Sequence, residues 1–139
     1  MTRLEIVIDS LDPPRLARFW AAALTGYRVR DYDAAEIARL AEQGLTPETD
    51  PNVAVDGTGP TLWLQRTARP KTERNRMHLD LRCRDRAAEA DRLGRLGARV
   101  RDVHDHHTVM LDPEGNEFCL VDEPDGAGPA DFIGAQEPI

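Results

Sequence analysis

Apolar residues recur at helical spacing in two segments of the chain. In the first segment they occupy positions i, i+3, i+4, i+7 and i+8, as Leu16, Phe19, Trp20, Ala23 and Leu24. Asp12 is suited to cap the start of this helix, with Pro13 at its first position and Gly26 at its end. The pattern therefore predicts an amphipathic helix between Asp12 and Gly26.

The second helical segment begins at Asp85 and ends at Gly97. Its apolar side carries Ala87, Ala90, Leu93 and Leu96. A strand with alternating apolar and polar residues precedes each helix, over residues 4–9 and residues 77–83. The two segments thus have the same order of elements.

A short sequence repeat follows the two helices. Gly26-Tyr-Arg-Val-Arg-Asp31 and Gly97-Ala-Arg-Val-Arg-Asp102 are nearly identical and stand at the same place after each helix. Because the similarity occurs twice in one structural position, it indicates a duplicated module.

Further strands complete each copy of the module. The first copy has predicted strands at residues 52–55 and 61–65, after a short helix at residues 34–43. In the second copy, residues 108–121 are typical of a strand, a tight turn and a strand, with the turn at Asp-Pro-Glu-Gly, residues 112–115. Each copy then has the order βαβββ.

The sequence therefore predicts an α+β fold of two tandem βαβββ modules. Module one covers residues 1–67 and module two residues 75–124, and both belong to a single domain over residues 1–124. Residues 125–139 are rich in Gly, Pro and Ala and are predicted to form a C-terminal tail.

Alternation along the strands divides each sheet into two faces. Apolar residues such as Ile6, Leu79 and Phe118 belong on the face under the helices. The opposite face then collects the chemically active side chains Glu5, Arg76, His78, Asp80, Glu117 and Cys119. A simpler interpretation is that this is the solvated side of a half-buried sheet.

Two of these side chains occupy equivalent points in the repeat. Glu5 lies seven residues before Asp12, and His78 lies seven residues before Asp85. A carboxylate, an imidazole and either Glu117 or Cys119 would form a plausible set of ligands for a divalent metal. His78 alone would more often be an ordinary hydrogen-bonded strand histidine.

Composition and charge argue against several kinds of binding partner. The 139 residues carry a net charge of −7, and the basic residues are scattered, which argues against nucleic acid or an anionic membrane as partner. No stretch reaches the roughly 18–20 apolar residues of a membrane span, and the start of the chain turns polar at Asp9, too early for a signal peptide. With only two cysteines, Cys83 and Cys119, we expect a cytoplasmic protein with reduced thiols.

The run His104-Asp-His-His107 resembles a metal clip. It falls in or near the loop between the sixth and seventh predicted strands. We therefore expect flexible, solvent-exposed histidines there.

Three segments of the chain resemble the vicinal-oxygen-chelate superfamily of glyoxalases, bleomycin resistance proteins and dioxygenases. They are residues 7–20, 75–81 (Asn-Arg-Met-His-Leu-Asp-Leu) and 112–121 (Asp-Pro-Glu-Gly-Asn-Glu-Phe-Cys-Leu-Val), and the similarity to the glyoxalase-like subgroup runs through residues 3–124. The resemblance implies a curved, partly closed mixed sheet with the helices on the outside and a concave cleft. It also implies a homodimer.

Metal-dependent members of this superfamily take their ligands from the first, fourth, fifth and eighth strands. By position, the resemblance places these ligands at Glu5, at Trp63 or Gln65, at His78 and at Cys119. Histidine is usual at the first of these positions and glutamate at the last, with Glu117 two residues earlier on the same face. Of these positions, only that of His78 carries the residue type that metal-dependent members have there.

Two functions compete on this basis. In an enzyme, a divalent Zn, Ni, Mn, Fe or Co ion held by Glu5, His78 and Cys119 would act as a Lewis acid for a lyase, isomerase or dioxygenase. Glu5 or Glu117 would then move a proton, and Arg76 would neutralise a carboxylate or phosphate of the substrate.

In a metal-free binding protein, the cleft would hold an antibiotic or metabolite. Trp63 would supply contact area, while Gln65, Arg76 and Asp80 would orient the ligand. A third class, an accessory domain acting through its surface, is disfavoured by the collected polar face. The enzyme hypothesis and the binding-protein hypothesis both have a small molecule as the partner.

Overall fold

The computed structural model describes residues 1–123, so the predicted tail at residues 125–139 lies outside the described residues. The chain divides into two compact units, the first spanning Met1–Lys71 and the second beginning at Thr72. Each unit contains one predicted module. The assignment of both modules to one domain over residues 1–124 stays a prediction.

The first unit has three helical segments and four strands. In chain order these are β1 (Glu5–Ser10), α1 (Pro13–Ala23), β2 (Arg28–Val29), α2 (Ala34–Glu42), a short 3-10 turn (Pro47–Thr49), β3 (Asn52–Asp56) and β4 (Thr61–Arg66). The second unit has one helix and four strands among the described residues. These are β5 (Leu79–Cys83), α3 (Arg86–Leu96), β6 (Arg99–Val103), β7 (His107–Leu111) and β8 (Glu117–Asp122).

The two units have the same sheet topology. The strand order is β1-β4-β3-β2 in the first and β5-β8-β7-β6 in the second. In each sheet the first strand pairs in parallel with the last, and the other neighbours are antiparallel. The predicted α+β fold of two tandem βαβββ modules with mixed sheets is therefore confirmed.

Helix α1 packs as its apolar stripe predicts. Leu16, Phe19, Trp20 and Ala23 are all buried, and α1 contacts β3 and β4. Asp12 caps the helix by accepting a hydrogen bond from the Arg15 amide at 3.3 Å. The helix ends at Ala23, before Gly26, because Leu24 adopts an extended conformation while its N–H still bonds to the Trp20 carbonyl.

Helix α3 matches its predicted ends but not its predicted burial. Asp85 accepts a hydrogen bond from the Ala88 amide at 3.0 Å, and Gly97 closes the helix with a φ of 114°, which favours glycine. Of its predicted apolar side only Leu93 is fully buried, and Leu96 is exposed. The second helix thus contributes less apolar burial than the first.

Strand β5 begins at Leu79, two residues later than its pattern predicts. The Asn75 amide donates to Glu117 Oε2 at 3.1 Å, and Asn75 Nδ2 donates to the Glu117 carbonyl at 3.3 Å. Since the segment around Asn75 makes its hydrogen bonds in this way, regular pairing starts only at Leu79 with Phe118. Arg76 and His78 therefore precede the strand, and Met77 is exposed rather than under a helix.

The expectation of solvent-exposed histidines at residues 104–107 is wrong for His107, whereas His106 is exposed in the connection between β6 and β7. His107 is buried at the start of β7, and its ring stacks on His104 with 4.4 Å between centroids. Arg86 fastens the turn by donating to the carbonyls of His104 at 3.0 Å and Asp105 at 2.6 Å. These hydrogen bonds from the Arg86 side chain to the backbone hold the turn in place. The spacing of residues in the sequence does not reveal them.

No helix within residues 1–123 is long and apolar enough to cross a membrane.

Candidate ligand site in the first module

A cavity of about 360 Å³ lies within the first unit. Its sheet wall contains Ala54 of β3 and Trp63 of β4, which are register partners. These two side chains alternate along their strands with the buried residues Val53, Val55, Leu62 and Leu64. Because α1 packs on the buried set, the cavity lies on the other face of the sheet.

Trp63 is held in a fixed position in the cavity wall. Its indole Nε1 donates a hydrogen bond to Glu5 Oε2 at 3.1 Å, and Glu5 also pairs with Arg3 at 3.2 Å. The guanidinium carbon of Arg30 lies 5.0 Å from the centroid of the indole ring, within the range of a cation–π contact. The aromatic surface is thus preorganised.

Arg30 is already neutralised by a neighbour. Its guanidinium donates two hydrogen bonds to the Asp56 carboxylate, at 2.7 and 2.9 Å. Thr61 Oγ1 also donates to Asp56, at 2.8 Å. The hydrogen bond from Arg30 is the main reason that the pKa of Asp56 is lowered. Arg30 therefore contacts the Trp63 ring through a guanidinium group whose positive charge is already paired with Asp56.

Tyr32 and Asp50 join the ends of the long connection between β2 and β3. The Tyr32 hydroxyl donates to Asp50 Oδ2 at 2.7 Å, and the Asn52 amide donates to Asp50 Oδ1 at 2.9 Å. Desolvation raises the pKa of Tyr32 well above its usual range, aided by the hydrogen bond to Asp50. Tyr32 therefore remains a protonated hydrogen-bond donor.

The start of α2 supplies the rest of the wall with carboxylates. Asp33 caps the helix by accepting from the Glu36 amide at 2.8 Å, and Asp31 precedes it. Glu36 pairs with Arg39 at 2.6 Å, and this contact lowers the pKa of Glu36. The cavity wall therefore contains four carboxylates, from Asp31, Asp33, Glu36 and Asp50, against the one guanidinium of Arg30.

The cavity brings together some of the sequence-predicted residues. Trp63 is in the wall, and Glu5 holds its indole, whereas Gln65 is exposed on the same face of β4 and is not among the cavity residues. Sequence reasoning missed Arg30, Tyr32 and Asp50. The alternation of Asn52 and Ala54 in β3, on the same face as Trp63, was the available signal for this wall.

In the second unit, Glu117 and His78 both contact Asn75. Glu117 is buried, accepts from the Asn75 amide and lies 3.7 Å from Arg101 Nη1 through its other oxygen. His78 Nε2 lies 3.0 Å from the Asn75 carbonyl oxygen, which only accepts, so Nε2 carries the proton. These contacts give Glu117 a structural role. Arg76 and Asp80 are exposed.

Cys119 is buried in an apolar cluster with Val109 and Val121. Its register partner on β5 is Asp80. Burial, together with the Asp80 carboxylate, raises the pKa of the Cys119 thiol to about 11, and Arg101 opposes the shift. Cys119 therefore packs against apolar side chains, although Asp80 and Glu117 lie on the same face. At neutral pH the thiol is protonated.

The predicted metal ligands do not fit a divalent cation as they stand. Glu5 is engaged by Trp63 and Arg3, His78 Nε2 is engaged by Asn75, and Cys119 is a buried neutral thiol. Within residues 1–123, no three His, Cys, Asp or Glu side chains are grouped in a way that would hold a metal ion. The metal set of Glu5, His78 and Cys119 therefore stays a prediction from the resemblance.

The state of Cys119 makes stability depend on pH at the alkaline end. A folded pKa of about 11 against an ordinary value of 9.0 means that the thiol stabilises the fold fully below pH 9. We expect the free energy of unfolding to fall as pH rises from 9 towards 11, more steeply in the wild type than in Cys119→Ala. Urea unfolding at pH 8, 9, 10 and 11 measures this difference. Equal slopes in the two proteins would contradict the assignment.

The model of the Glyoxalase-like domain family matches residues 5–121, so the chain belongs to that family. No curated protein matches the chain in sequence.

Solved structures show the same fold. A fosfomycin resistance protein, FosX from Mesorhizobium loti, is similar with a TM-score of 0.63 at 13% identity, covering 95% of this chain and 96% of that one. TioX from Micromonospora sp. ML1 has a TM-score of 0.56 at 15% identity, covering 88% of this chain and 98% of its own. A glyoxalase/bleomycin resistance protein/dioxygenase family enzyme from Burkholderia phytofirmans PsJN has a TM-score of 0.56 at 14% identity, covering 85% and 95%.

Proposed function

We propose that the chain binds a small organic molecule in the cavity of the first module and that this binding needs no metal ion. The observation that carries the proposal is the cavity itself. Its volume of about 360 Å³ lies in the range typical of small-molecule sites, roughly 300–1,000 Å³. Trp63 gives it a fixed aromatic wall, and Tyr32 and Asp50 give it polar groups.

The preorganised wall supports binding over catalysis. Side chains that are already fixed lose little conformational entropy when a ligand arrives, and this favours affinity. The two carboxylates predicted to move protons are both engaged, Glu5 by the Trp63 indole and Glu117 by the Asn75 amide. Metal-dependent lyase, isomerase or dioxygenase chemistry through Glu5, His78 and Cys119 is therefore the weaker alternative.

The family comparison supports a small-molecule partner without naming one. One structural neighbour is named a fosfomycin resistance protein, and another a glyoxalase/bleomycin resistance protein/dioxygenase family enzyme. The homodimer that the resemblance implies and the cytoplasmic location expected from the cysteine content are both compatible with this function. All the residues of the cavity wall belong to the first unit.

The two tryptophans of the chain give a direct test. Trp63 is in the cavity wall, whereas Trp20 belongs to α1 and is buried in the core. A panel of cationic, neutral and anionic aromatic compounds is titrated into the full chain in buffer with EDTA, and tryptophan fluorescence is recorded. We expect a saturable signal in the wild type and in Trp20→Phe, and its loss in Trp63→Phe.

Calorimetry gives the affinity without relying on fluorescence. Trp63→Ala is expected to weaken binding about tenfold, corresponding to about 1.4 kcal/mol. The proposal is wrong if no compound binds, if Trp63→Ala binds as tightly as the wild type, or if binding appears only after a divalent metal is added.

A further inference from the structure

The charges around the cavity are unevenly distributed. Four carboxylates and one guanidinium line the wall, and the guanidinium of Arg30 is bound to Asp56 through both of its hydrogen bonds. Two of the carboxylates have cationic neighbours outside the wall. Glu36 pairs with Arg39, and Asp31 lies 3.6 Å from Arg28 in an exposed pair, which solvent screens strongly.

The other two carboxylates, Asp33 and Asp50, have only neutral hydrogen-bond donors. Asp33 accepts from the Glu36 amide, and Asp50 accepts from the Tyr32 hydroxyl and the Asn52 amide. Among residues 1–123, no cation is within ion-pair distance of either. Asp50 is only 4% exposed, and a buried carboxylate without a direct ion pair is costly. The pKa of Arg39 is raised mainly by its contact with Glu36, and the charge of Asp50 makes the smallest contribution, so this cation compensates Asp50 only weakly.

The carboxylates at this site affect the pKa of the neighbouring Tyr32 hydroxyl. After desolvation and the hydrogen bond to Asp50, the carboxylates of Asp50, Glu36 and Glu48 all raise the pKa of Tyr32. The Tyr32 hydroxyl therefore faces negative charge from both ends of the connection between β2 and β3. An anionic ligand in the same cavity would meet this repulsion without an unpaired cation to offset it.

The aromatic wall indicates what kind of positive charge fits. The Arg30 guanidinium already lies 5.0 Å from the Trp63 ring centroid, so this indole accepts a cation in the folded protein. Aromatic rings attract guanidinium and quaternary ammonium groups through their faces, and they offer contact area to planar apolar groups. A hydrated inorganic ion uses neither property.

From these observations we propose that the cavity of the first module selects an organic cation, one with an ammonium or guanidinium group attached to an aromatic or apolar body. This inference rests on the proposed function and adds its ligand class. The sequence suggests an anionic substrate, neutralised by Arg76. The acidic cavity wall favours a ligand of the opposite charge. The positive group lies towards Asp50 and Asp33, and the apolar body lies against Trp63.

Three probes of similar size test the charge preference on the full chain. Phenyltrimethylammonium is the cation, tert-butylbenzene is its neutral isostere, and benzoate is an anion. We expect the cation to bind at least about tenfold more tightly than the isostere, and benzoate not to bind. Raising NaCl from about 20 to 500 mM is expected to weaken binding of the cation and to leave that of the isostere unchanged, because salt screens only the charged contact.

Conservative variants test the residues. Asp50→Asn removes the charge and keeps an acceptor for the Asn52 amide, and Asp33→Asn removes the charge at a position where asparagine is an equally good cap. We expect each variant to bind the cation at least about fivefold more weakly than the wild type does. Its affinity for the neutral isostere is expected to change little. The matched control is Asp85→Asn, the same replacement at the cap of α3 in the second unit, which is expected to leave binding unchanged.

The outcomes separate the two proposals. If the isostere or benzoate binds through Trp63 as tightly as the cation, the charge selection is wrong and the binding function stands. If no probe changes the Trp63 signal, both fail. If MgCl₂ displaces the cation where NaCl of equal ionic strength does not, the acidic groups serve an inorganic ion and the organic-cation proposal is wrong. Unchanged affinity in both Asp50→Asn and Asp33→Asn also overturns it.

Discussion

Asp112→Ala is expected to lower the free energy of unfolding by about 3 kcal/mol. The carboxylate is fully buried and organises the turn between β7 and β8. One oxygen accepts from the amides of Glu114 at 2.9 Å and Asn116 at 3.0 Å, and the other accepts from Asn116 Nδ2 at 2.8 Å. Alanine would leave all three half-buried donors without this acceptor.

The measurement is urea unfolding followed by circular dichroism. Asp105→Ala is the control in the neighbouring hairpin, because Asp105 is exposed and its contact with Arg86 uses the backbone carbonyl. We expect the control to change stability by less than about 0.5 kcal/mol. A loss of under about 1 kcal/mol in Asp112→Ala would show that water or other side chains replace the carboxylate.

Gly57→Ala is expected to destabilise the protein by about 2 kcal/mol through overpacking. A Cβ atom at this position would overlap the Cδ2, Cγ and Cε2 atoms of the Tyr27 ring. The ring has little freedom to move away, because the Tyr27 hydroxyl donates to the Pro60 carbonyl at 3.0 Å. The turn between β3 and β4 therefore requires glycine for close approach of the ring.

The same replacement at Gly94 supplies a control of opposite sign. Gly94 lies in the interior of α3, and a Cβ there would meet nothing within 4 Å apart from the helix itself. Because alanine is the better helix former, Gly94→Ala is expected to stabilise the protein by about 1 kcal/mol. Thermal melts of the two variants should therefore shift in opposite directions. A shift in the same direction would refute the steric argument for Gly57.

The features that sequence predicts best are local. The N-caps at Asp12 and Asp85, the apolar stripe of α1 and the glycine at position 97 each depend on residues within a few positions of one another. The repeated hexapeptide then correctly relates the two halves of the chain. These features determine the order of elements, and the order in turn limits the sheet topology.

The candidate site was harder to predict because distant parts of the chain form it. Tyr32 contacts Asp50, and Arg30 contacts Asp56, both across the connection between β2 and β3. The family resemblance indicates Trp63 by its position on the fourth strand, but it contains no information about the loop residues. At Cys119, alternation along β8 predicts a polar environment, whereas in the structure the thiol packs against Val109 of β7 and Val121.

The sheet order also constrains how each module forms. The first strand of each unit pairs with the last, Glu5 with Thr61 and Leu79 with Phe118, so neither sheet is complete until its final strand is in place. The antiparallel strands between them can form hairpins early, whereas the parallel pair requires closure of a long loop. We therefore expect the pairing of β1 with β4 and of β5 with β8 to be a late step in the folding of each module.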